Sequence, residues 1–330
     1  MNATRTIFLS VSLVLSSGMN LFGQTDPAIN APRIAAEDST NEPPAPFVIK
    51  SADGICDISI DTSKASDLTD WAQTKLAPAL AEWFPKIVAL LPVPGYTPPS
   101  HFSVAIRPGN GVAATSGTRV TANADWLKRE LKGEAVGALI HEEVHVIQLY
   151  RPGPGRSNAA GVVTNTADTN AVPRTRRGNQ AGRLPGWLVE AIPDYIRWFK
   201  FEPDSHGADD IWLQRQAKRN LPASFAGIHY DTAYRPGANF LNWVAETYDQ
   251  DIVPKLNAAA REGKYADDVW RMNCKGKTAA ELGVEWKLQL ARKFNIEWTP
   301  PGPESGTNGP AANPGGAAKT NLANTATADK

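Results

Sequence analysis

HEEVHVIQLY, residues 141–150, sets two histidines four positions apart, with a glutamate directly after the first. Four residues of α-helix turn through about 400°, so His141 and His145 point nearly the same way. With His141 at the origin, His145 falls at about 40° and Gln148 at about 340°. Val136, Ile140, Val144 and Ile147 fall between about 220° and 300° and form a separate apolar stripe. One helix can thus bury one side and present metal ligands on another. Glu142, at about 100°, lies beside the ligand column, where a carboxylate reaches a water on the metal more readily than the metal itself. Glu143, at about 200°, borders the apolar stripe and reads as a solvated or paired helix residue.

The residue types suit one chemistry. Neutral imidazoles bind zinc and leave a position open for water. The metal brings the pKa of that water towards about 7, and a neighbouring carboxylate takes the proton as hydroxide attacks a carbonyl. HExxH on a helix is the specific form of this pattern. The plainer alternative is a pair of half-exposed helix histidines.

Upstream, FVIK and ICDISID read as strands, and a helical stretch interrupted by Pro78 and Pro85 covers 66–91. HFSVAIRP and TRVTANA read as strands, with PGNG as turn material between them. Asp125 is the expected N-cap of a short helix that Gly133 breaks. The histidine helix is expected over 134–150, ended by Pro152. Downstream, helices are expected over 187–200, 208–219, 237–249, 254–262 and 278–293. Strands first and helices afterwards predict an α+β fold built as two lobes, with the mixed sheet and the histidine helix in the first and helices dominating the second.

The termini differ from this middle. Arg5, an apolar run from Ile7 to about Val14, and then small polar residues make 1–24 a secretory signal peptide. The run is short of the ~20 apolar residues a membrane span needs. Export to a secreted or periplasmic location follows, with no stable membrane association once the signal is cleaved. Residues 25–45 read as a disordered linker and 299–330 as a disordered tail, leaving 46–298 as the folded domain. With 34 basic and 34 acidic residues, the formal charge is zero, which argues against nucleic acid as a partner. Cys56 and Cys274 allow a single disulfide or two buried thiols.

Two histidines do not complete a catalytic zinc site, which usually takes three protein ligands. His101, His206 and His229 stand alone. The better source is PGWLVEAIPDYIRW, 185–198, where Glu190 and Asp194 are again four apart on one side of a helix.

HExxH followed by a helix with W-L-x-E resembles the gluzincins, and the spacing from Glu190 to Asp194 resembles thermolysin-like enzymes. That likeness implies that Glu190 is the third ligand and Asp194 the carboxylate that orients a ligand histidine, the reverse assignment being the alternative. The closer resemblance is to the basic secretory protein family, zinc peptidases of plants and bacteria. It rests on His141, Glu142, His145 and Gln148; then Gly186, Glu190, Asp194 and Tyr195; then Tyr234, Ala238, Phe240, Leu241 and Trp243; and finally KTAAELGVEWK. It spans about 46–295. The chain departs from the family in being neutral, in carrying Pro193 before the aspartate, and in a long 151–183 loop with Arg174, Arg176 and Arg177.

The resemblance implies a zincin-like peptidase fold, a Zn2+ cofactor, a peptide or protein substrate, and Glu142 as general base. It further implies a tyrosine hydroxyl for the developing oxyanion, Tyr234 or else Tyr230, and an edge strand in GVAATSGTRVTANA along the cleft. A secreted binding protein on the same scaffold, or a zinc hydrolase of a non-peptide amide or ester, are the alternatives.

Overall fold

The computed structural model describes residues 43–150, 182–219 and 223–300. The expected signal peptide, most of the linker, the loop to residue 181 with its three arginines, and the tail from 301 lie outside the described residues.

Five strands form one mixed sheet in the order β1-β2-β3-β5-β4: β1 (Phe47–Lys50), β2 (Asp57–Asp61), β3 (His101–Arg107), β4 (Ala113–Ser116) and β5 (Arg119–Asn123). β2, β3 and β5 run parallel, while β1 and β4 pair antiparallel at the two edges. The period-2 alternation of β3 puts Phe102, Val104 and Ile106 on the buried face. Register aligns Ile60 with Val104 and Val104 with Val120, so apolar side chains form continuous rows across the strands. Burying each stabilises the fold by about 1.5–3 kcal/mol. The segment expected to supply one edge strand is a hairpin turning at Gly117, whose φ is +61°. Its first arm, β4, is the edge, and its second arm lies inside the sheet.

Helical turns run from Ser66 into the helix Ala77–Leu90, including a π-helical stretch over Ala72–Leu76 just before Pro78. Pro85 sits inside without ending the helix. Proline cannot bond back to the carbonyl four residues earlier. That carbonyl, on Ala81, accepts instead from Ala52 N–H in the β1–β2 connection at 2.7 Å. The N-cap of the next helix, Ala124–Glu130, is Asn123 and not Asp125: the Asn123 side chain accepts from Asp125 N–H at 3.1 Å.

The second half is helical, as expected. Helices Gly186–Ile196, Asp210–Arg219, Arg235–Thr247, Ile252–Arg261 and Ala279–Phe294 match the expected ones, and the short helix Asp268–Asn273 adds to them. Thr278 and Glu281 form a reciprocal capping box at the start of the last long helix. The helix from Gly186 passes through Pro193 and continues as π-helical turns to Phe201. Arg235–Thr247 lies close against it at Gly237, where an added Cβ would come within 2.8 Å of Ala191 Cβ. Phe240, Trp270 and Trp286 are fully buried, in one hydrophobic core shared with the sheet residues. The chain is therefore α+β with a mixed five-stranded sheet. Cys56 and Cys274 are separate buried free thiols.

Candidate metal centre

The histidine helix spans Ala135–Gln148 and packs against β4, β5, the helix Ala77–Leu90 and the helix Gly186–Ile196. These neighbours bury it on nearly every side: His141, Glu142, Glu143 and Gln148 are all under one-tenth exposed. Glu143 therefore departs from its expected solvated or paired state. It is 0% exposed, neither carboxylate oxygen has a partner among the described residues, and burial drives its pKa well above the usual carboxylate range.

Glu190 comes from the adjacent helix. Its Oε2 lies 3.4 Å from His141 Nε2 and 3.2 Å from His145 Nε2. Ligand atoms of a tetrahedral zinc ion with bonds near 2.0–2.1 Å stand roughly 3.3 Å apart. Ligand atoms of His141, His145 and Glu190 all lie within 4.8 Å of one another, a spacing and donor chemistry that fit zinc. Asp194, one turn further along and 4% exposed, approaches the other side of the first imidazole, 2.7 Å from His141 Nδ1. Glu190 thus faces both imidazoles between them, and Asp194 stands behind one.

The electrostatics follow from this crowding. Burial by itself disfavours a charged His141, but hydrogen bonds that it donates to the Asp194 and Glu190 carboxylates, together with the Asp194 and Glu142 charges, raise its pKa to about 10. Burial by itself would raise Glu190; hydrogen bonds to His141 and His145 outweigh it and hold Glu190 well below the usual carboxylate range. The cluster thus concentrates negative potential around the two imidazoles.

Three partners were not assigned from the sequence. Gln148 Oε1 lies 2.9 Å from His145 Nδ1, doing for the second imidazole what Asp194 does for the first. Its position three residues on, in the ligand column, was the available signal. Thr115 on β4 donates from Oγ1 to Glu142 Oε2 at 2.6 Å. No sequence signal links residues 27 positions apart on different elements. Glu134, at the N-cap of the histidine helix, grips Arg197 and Arg235.

The two candidate tyrosines part company. The Tyr234 ring stacks on His141, centroids 6.0 Å apart. Tyr230 packs against Trp187 and Phe240 and rests on the backbone at Gly283. His206 pairs with Asp209, and His101 and His229 are outside the cluster.

No curated protein and no solved structure matches the chain. A family described as peptidase of plants and bacteria matches residues 72–286, which takes in the histidine helix, Glu190, Asp194 and Tyr234. The chain belongs to this family of peptidases, the basic secretory protein family whose motifs it carries in order.

Proposed function

We propose that the chain is an exported zinc-dependent peptidase with a zincin-like, two-lobed arrangement, in which His141, His145 and Glu190 hold the metal. The observation that supports this most strongly is the convergence of two imidazole Nε2 atoms on one carboxylate oxygen at 3.2 and 3.4 Å, with an oxygen acceptor behind each imidazole. Zinc bound there supplies Lewis acidity and a water that ionises near neutral pH.

The chain's own groups do the rest. Asp194 and Gln148 accept from Nδ1–H of His141 and His145, which fixes both tautomers with Nε2 free to donate its lone pair. Glu142 takes a proton from the attacking water and delivers it to the leaving amine. Thr115 donates to Glu142 Oε2, which stops the carboxylate rotating and leaves Oε1 for the proton. The Tyr234 hydroxyl donates to the oxyanion that develops on the carbonyl. The outer edge of β4, which no strand pairs among the described residues, lies next to the histidine helix and offers backbone groups to an extended peptide. Export rests on the signal-like 1–24 segment.

The test is Glu142→Gln. Zinc should stay at one per chain while hydrolysis of a mixed-peptide substrate falls at least about 1,000-fold. A variant that still cleaves peptides at the parent rate rules out the glutamate base. A parent protein that binds zinc yet cleaves no peptide turns the assignment to a binding protein.

A further inference from the structure

We infer that Glu134 and Arg235 are positioning residues, which clamp Tyr234 over His141 by holding its backbone in a strained conformation. This rests on the reading that Tyr234 serves the reaction.

Tyr234 has φ +67° and ψ −135°. His206 and Asn295 also have positive φ, but with ψ of 30° and 49° they sit in the ordinary left-handed basin. The Tyr234 combination lies in territory that glycine occupies and a side chain resists. Such strain persists only where the surroundings over-determine it.

The next residue provides that constraint. Arg235 Nη2 lies 2.7 and 2.6 Å from the two Glu134 oxygens, and Nη1 donates to Gly207 O at 3.1 Å. Its guanidinium also lies over the Trp198 and Trp212 rings, at 4.4 and 5.2 Å. A cation in the first turn of a helix opposes the helix dipole, so the helix that follows gains nothing from Arg235 there. What the placement fixes is the entry to the helix, and with it Tyr234.

Glu134 also takes Arg197 Nη2, 3.1 Å away. Arg197 directly follows the helix of Glu190 and Asp194 and pairs in turn with Glu202 at 2.7 Å. One turn along the histidine helix, Gly137 leaves room for this pair: a Cβ there would stand 2.3 Å from Glu202 Oε1 and 2.6 Å from Arg197 Nε. A single carboxylate at the head of the histidine helix thereby ties down the carboxylate helix and the tyrosine together.

Two arms test the clamp. In the metal-free protein, Tyr234→Ala and Tyr234→Gly both lose the ring, but only alanine keeps the strain. Glycine is ordinarily the less stable of the two. Here Tyr234→Gly should melt about 2–5 °C above Tyr234→Ala. In an Arg235→Gln background that advantage should vanish or reverse. An advantage of the same size in both backgrounds overturns the clamp.

In the zinc-loaded enzyme, Arg235→Gln should lower kcat about 10–100-fold, with KM and zinc per chain unchanged. Tyr234→Phe, costly by itself, should then cost less than about 2-fold further. Fully additive losses overturn the proposal. Normal turnover in Tyr234→Phe alone sinks the tyrosine's catalytic role instead, and the melting comparison still decides the clamp. Arg235→Lys keeps the charge without the two-oxygen grip and replaces the Gln variant if that does not fold.

Discussion

The two sides of the candidate centre are held by different physics. The imidazole side is a stretch of helix sunk among apolar neighbours, with Ile140, Val144 and Ile147 all 0% exposed, and its spacing is set by helical geometry. On the opposite side helical spacing relates Glu190 to Asp194, and their helix is packed through Leu188, Ala191 and Ile192, but no local rule sets them against the imidazoles or against Tyr234. Glu190, Asp194 and Tyr234 arrive on two other helices, and polar ties fix them: Asp194 to His141, Glu134 to Arg197 and Arg235. Packing tolerates small adjustments at many contacts, whereas each polar tie is one bond that a single substitution removes. The imidazole side should therefore survive changes among the apolar residues that pack it, whereas loss of a polar tie, Asp194 to His141 or Gln148 to His145, should not be absorbed.

The severest way to break the second side is Glu190→Ala. It should take zinc from one per chain to near none at micromolar metal, abolishing turnover; metal analysis after gel filtration checks this. The supports come next. Asp194→Asn and Gln148→Ala should each weaken zinc about 10–100-fold, read by competition with a chromogenic chelator. Thr115→Val should leave zinc affinity intact and lower kcat about 10-fold, with Thr115→Ser recovering most of it.

The mildest change sharpens the contrast from the packed side. The Glu143 pKa is raised in the folded state, so its contribution is fully present below the unfolded value of 4.5 and is lost as pH rises above it. Glu143→Gln removes that loss. The variant should match the parent near pH 4 and exceed it by about 1–3 kcal/mol at pH 7, measured by urea unfolding. A gap that does not grow with pH would mean the carboxyl is solvated.

Legibility from sequence divides along the same line. The histidine helix, its ligand column and the flanking helices could be read because period and motif are local. Glu143 was misread because an amphipathic stripe implies one buried face, and this helix is enclosed by the sheet, the Ala77–Leu90 helix and the Gly186–Ile196 helix. Asn123 displaced Asp125 as the cap because β5 runs on to Asn123 itself. Thr115 with Glu142, and Arg235 with Glu134, are separated by 27 and 101 residues, and nothing in either neighbourhood announces its partner.

Pro85 carries a practical lesson of another kind. Its missing N–H would strand the Ala81 carbonyl were it not for Ala52, so the short connection between the first two strands is stitched to a helix about thirty residues away. That connection looks like an ordinary surface hairpin and a convenient place to insert a tag or epitope. Lengthening it would unmake the stitch and leave two main-chain groups without their match, so fusions belong elsewhere on this protein.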